Sequence, residues 1–185
     1  MMNFLNIFLT TLCISISSNC FDIKTFFFSK EQQYTIIGNK TNRYFDVKHV
    51  APFDPKILKV NYIDTIREIL IKHIDEENLN DLDKNAEIFV SIYYDPHSLK
   101  VSELYFGFRR VNPLEVVTVK QIQKIDQEIK QKLIGEKDTK RFNAKEVDDT
   151  LAKLTYLDGH GIGFYLKQLI QYKRGEIPKE SLTLR

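Results

Sequence analysis

Between Glu87 and Arg109, two runs of alternating residues flank a four-residue turn. Ile88, Val90, Ile92 and Tyr94 alternate with Glu87, Phe89, Ser91 and Tyr93, and Leu104, Phe106 and Phe108 alternate with Glu103, Tyr105, Gly107 and Arg109. Successive side chains of a strand point to opposite faces, so this period of two sends one apolar row into a core. Asp95-Pro96-His97-Ser98 is turn chemistry: proline presets φ at the second position, and aspartate at the first accepts from the backbone ahead. The segment reads as an antiparallel hairpin with one face buried.

A half-buried sheet needs a cover, and the next segment supplies one. Asn112-Pro113 ends the hairpin. Thr118 and Gln121 have capping-box spacing, in which each side chain bonds the other's backbone N–H. Val119, Ile122, Ile125, Ile129 and Leu133 then form one helical stripe, while Lys120, Gln123, Lys124, Glu128 and Lys130 point outward. Gly135 is expected to cap this helix in the left-handed conformation. Upstream, Asn61 is placed to cap a helix carrying Ile63, Ile66, Ile69, Leu70 and Ile74 on one face. Before it, strand-like Tyr34–Ile37 and Tyr44–Val47 flank turn-rich Gly38–Asn42, which reads as an early hairpin. Downstream, Asn143 is expected to cap a helix with Val147, Leu151 and Leu154. The run Leu157-Asp158-Gly159-His160-Gly161-Ile162-Gly163 breaks it, and Phe164, Leu166, Leu169, Ile170 and Tyr172 suggest a last helix ending at Gly175 and Pro178. The tail to Arg185 reads as loose. The expected fold is α+β: a small antiparallel sheet, amphipathic helices packed on one face, and a helical C-terminal part.

Phe4 to Ile16 is apolar and uncharged. Thirteen residues are too few to span a bilayer, and small residues follow: Ser15, Ser17, Ser18 and Cys20. This is signal-peptide composition, so residues 1–20 are expected to be an export segment and 21–185 a single domain. Cys20 also permits a lipoprotein reading, in which cleavage precedes a lipid-bearing cysteine; Asn19 and Ser17 depart from that pattern. Both cysteines, Cys13 and Cys20, lie in or at the end of this segment, so the remainder has no thiol for a disulfide, a zinc site or a nucleophile. Lys and Arg number 27 against 25 Asp and Glu, a balance that gives no reason to expect a nucleic-acid partner.

No residue pattern assembles a catalytic site or a cofactor site. Serines occur without a G-x-S-x-G elbow or an S-x-x-K pair. His49, His73, His97 and His160 form no i, i+3 or i+4 pair, so no metal face is preassembled. Gly159, His160, Gly161 and Gly163 are the candidate anion-binding residues, because a glycine-rich loop opening a helix can offer bare N–H groups to phosphate. The segment lacks a P-loop lysine, and a turn between two helices explains the glycines as well. Tyr93, Tyr94, Tyr105 and Phe106 are candidates to line a sugar or peptide site on the sheet, against plain sheet packing.

The order from Glu87 to Leu133 — strand, tight turn, strand, loop, amphipathic helix — resembles the C-terminal domain of TonB and small exported bacterial proteins built like it. The resemblance rests on layout and implies a sheet-with-helix module. The turn carries Pro96, His97 and Ser98 where such turns usually have glycine. The closing strand after the helix is not legible, since residues 143–173 read as helical. The function expected from the sequence is that of an exported, non-catalytic domain binding a protein or glycan in the bacterial envelope. It would act in the periplasm, at the outer membrane or outside the cell, with no cofactor and no membrane contact other than a lipid on Cys20. The alternatives are a cell-envelope hydrolase assembled from distant residues and a secreted inhibitor or immunity-type protein.

Overall fold

The computed structural model describes residues 26–31, 34–43, 58–59, 62–75, 82–137, 139–140 and 142–184. The expected export segment, Cys20, the second arm of the early hairpin at 44–47, His49 and Asn61 lie outside them. Among the described residues, seven strands and five helices follow one another: β1 (Phe26–Glu31), β2 (Tyr34–Asn39), β3 (Leu58–Lys59), α1 (Ile63–His73), β4 (Glu87–Tyr94), β5 (Val101–Arg109), α2 (Pro113–Val116), α3 (Val119–Lys132), β6 (Glu136–Lys137), α4 (Ala144–Leu151), β7 (Leu157–Tyr165) and α5 (Leu166–Lys173). The main sheet has the order β1-β2-β5-β4-β7, every pair antiparallel, and β3 pairs with β6 apart from it. The α+β class is the one expected.

The alternation in the central hairpin does what its period dictates. Ile88 faces Phe108, Val90 faces Phe106 and Ile92 faces Leu104, and all six are buried. The turn is closed by Asp95, whose Oδ1 accepts from the N–H groups of His97 and Ser98 at 3.1 and 2.6 Å. Leu99, not a glycine, takes the positive φ this turn requires, at 56°. Its side chain is buried, and that burial offsets the left-handed strain.

α3 is capped as its sequence predicts: the Gln121 N–H donates to Thr118 Oγ1 at 3.2 Å, and the Thr118 N–H donates to Gln121 Oε1 at 2.6 Å. Ile122, Ile125 and Ile129 are buried with Leu133. Against expectation, the helix ends without a glycine cap. Gly135 instead donates its N–H to the Leu99 carbonyl at 2.7 Å, tying the helix exit to the hairpin turn. α1 buries Ile66, Ile69 and Leu70, and its N-cap is Tyr62, without a side-chain cap bond. Asn143 does cap α4, accepting from the Lys145 N–H at 3.0 Å. Asn112, read only as a breaker, caps the short α2.

Other expectations are corrected. Tyr34–Ile37, read as the first arm of an early hairpin, pairs with β1 on one side, with Phe28 facing Ile37, and with β5 on the other. The C-terminal part is not all helical: residues 157–165 form β7, antiparallel to β4, with Ile162 opposite Val90 and Phe164 opposite Ile88. The glycine-rich run is therefore a strand, not a turn between helices. Ser91 pairs with Gly161 and Tyr93 with Asp158, so Gly159 and His160 together oppose Ile92 in a β-bulge. The tail, read as loose, bridges β7 at one point, Leu184 to Phe164, and the Thr183 N–H donates to Gln168 Oε1 at 2.9 Å.

Candidate functional site

Helices α1 and α3 contact each other, α3 contacts β5, and α1 contacts α5. Buried Ile88, Val90, Phe106, Phe108, Ile162 and Phe164 share one core with residues of these helices. The opposite sheet face holds the alternate row, and pairing across β2, β5, β4 and β7 brings Tyr34, Arg109, Glu87 and Tyr165 into one line. The next lines are Ile36-Gly107-Phe89-Gly163 and Gly38-Tyr105-Ser91-Gly161, and then Glu103-Tyr93-Asp158 on β5, β4 and β7 alone.

Two buried carboxylates mark the ends of this face. Glu87, 5% exposed, accepts from Arg109 Nη2 at 2.6 Å, and the Arg109 guanidinium lies 5.9 Å from the Tyr34 ring centroid. Glu103, also 5% exposed, accepts from the Tyr105 hydroxyl at 3.0 Å on one oxygen. Its other oxygen accepts from the Tyr156 hydroxyl at 2.8 Å and the Arg43 backbone N–H at 2.6 Å. The Tyr93 ring meets Tyr105 edge-on at 5.6 Å. Burial, followed by the hydrogen bond to Glu103, pushes the Tyr156 phenol up to about 12, so it remains a donor at neutral pH.

This arrangement is structural in character. A carboxylate engaged by three donors is poorly placed to take a proton or attack a substrate. Tyr93, which pairs with Glu103, lies six residues from Glu87 along β4, roughly 20 Å at the strand rise, whereas paired glycosidase carboxylates stand about 5–10 Å apart. These two carboxylates therefore do not form such a pair. Tyr94 and Phe106, considered for a sugar platform, lie in the core, and Tyr93 and Tyr105 are 7% and 3% exposed. The four make no exposed stacking surface.

The candidate anion residues sit in β7. α5 begins at Leu166, after the strand has ended, so Gly159, His160, Gly161 and Gly163 are not at its N-terminus. His73 is on α1, with Nε2 2.7 Å from Glu128 Oε2, and His97 is exposed in the turn. Among the described residues, no three His, Cys, Asp or Glu side chains cluster to hold a metal, and no helix is long and apolar enough to cross a membrane.

Among the described residues the exposed large apolar side chains are Phe28, Leu114, Ile134 and Leu184, and the first two lie together. Phe28 on β1 and Leu114 on α2 are 39% and 52% exposed. With Ile37, Val117, Val119 and Ile122 they line a shallow apolar cleft, without room for a water molecule, between the β1–β2 end of the sheet and the start of α3. β1 is the edge of the sheet and, among the described residues, has a strand on one side only. Nothing local to Phe28 or Leu114 signals this cleft in the sequence. Asn112-Pro113 signals only α2, as a helix start as much as a hairpin stop.

No family model matches the chain, and no curated protein matches it. Among solved structures, a DUF5043 family protein from Bacteroides uniformis ATCC 8492 is similar over 75% of this chain and 76% of its own, at 13% identity and a TM-score of 0.48. The strand-turn-strand-helix layout of residues 87–133 is present in the structure, but a TonB-like family gains no support from these comparisons.

Proposed function

We propose that this chain is an exported, non-catalytic domain that binds a protein of the bacterial envelope. The observation that carries this reading is the cleft rimmed by exposed Phe28 and Leu114 beside the edge strand β1. The cleft has no room even for a water molecule, so it is a shallow apolar surface and not one of the roughly 300–1,000 Å3 pockets that enclose a small ligand, which fits contact with the surface of a protein. An edge strand offers unpaired backbone groups to an extended segment, while the adjoining apolar cleft selects its side chains. Contiguous apolar exposure of this kind is expected at an interface. Export is supported by the uncharged apolar run Phe4 to Ile16 and the small residues after it.

The test is affinity capture from the native envelope, followed by binding of the captured protein to purified variants. Leu114→Asp should weaken that binding by at least about tenfold, as truncating an interface anchor does. Lys124→Asp, on the far side of α3, should leave it within about twofold. Equal affinities for wild type and Leu114→Asp would refute the reading.

A further inference from the structure

We draw no further inference here: the strongest candidate, the apolar groove between α1 and α5 lined by Leu70, Ile71, Ile74, Leu166 and Ile170, is an unpartnered apolar face, and nothing in the structure shows what covers it.

Discussion

The Phe89 ring occupies the space that a side chain on residue 161 would need: a Cβ added to Gly161 falls 1.9 Å from Phe89 Cζ and 2.1 Å from Cε1. Glycine at this position is therefore set by cross-strand packing on an extended strand, not by a turn conformation. Gly161→Ala should cost roughly 1–3 kcal/mol, since the ring must leave its position. Combined with Phe89→Leu, most of that cost should vanish, giving a coupling energy readable in a double-mutant cycle by denaturant unfolding. Gly107→Ala is the contrast. Its nearest neighbours are at 3.5 and 3.6 Å, ordinary contact, so the change should stay within about 1 kcal/mol. Additive effects of Gly161→Ala and Phe89→Leu would show that the ring is not the obstacle.

Ile125 is fully buried at the middle of the α3 stripe, and Lys124 beside it is exposed. Ile125→Ala should lose about 2–5 kcal/mol and Lys124→Ala less than about 0.5 kcal/mol. Equal losses in thermal or denaturant unfolding would contradict the helical phase.

Two carboxylates two positions apart on α3 titrate in opposite senses. Lys132, Lys72 and His73 converge on Glu128 and draw its pKa down from 4.5 to about 2. Its contribution is complete above about pH 4.5 and is lost as pH falls toward 2. Asp126 is 5% exposed, with Oδ1 unpartnered and Oδ2 3.0 Å from Lys130 Nζ, and burial raises its pKa. Its ionised form is the penalised one, so its contribution improves as pH falls from its folded pKa toward 3.8. Unfolding at pH 7, 4 and 2.5 should show Glu128→Gln weakest relative to wild type at pH 7, with the gap closing in acid. Asp126→Asn should be neutral or stabilising at pH 7, with its advantage closing in acid. The opposite pH trends would contradict these environments.

What was legible in the sequence was whatever one element determines alone. The period of two in β4 and β5 fixed their shared core face, and Thr118 and Gln121 announced the start of α3. What was not legible depends on partners distant in the chain. The glycines of β7 were read as punctuation because glycine is rare inside strands; only Phe89, some seventy residues earlier, explains Gly161. Asp126 lies on the buried side of a helix whose other buried residues are isoleucines, so its burial has no local signal. The cleft at Phe28 and Leu114 is likewise made by segments that meet only in the folded chain.

Native protein should lack its first residues. Intact mass is expected to place the mature start between Ser18 and Phe21, and retention of Met1 would exclude export through this segment. If a lipid on Cys20 anchors the protein, Cys20→Ser should move it from the membrane fraction to the soluble one; unchanged membrane association would exclude that anchor.

Gly159, His160, Gly161 and Gly163 lie within a paired strand, so a phosphate or sulfate titration followed by the amide shifts of residues 158–165 should show no saturable change at pH 6 or pH 8. Saturable shifts stronger at pH 6, and reduced in His160→Ala, would establish an anion site there.

Site-specific photo-crosslinking in living cells reports whether a protein seats on the cleft at Phe28 and Leu114. A crosslinking residue is placed in turn at Phe28 and Leu114 on the cleft, and at His97 and Lys124 on exposed surface away from it. One discrete protein adduct is expected at positions 28 and 114, and none at 97 and 124. Adducts equally frequent from all four positions, or none from 28 and 114, would contradict it.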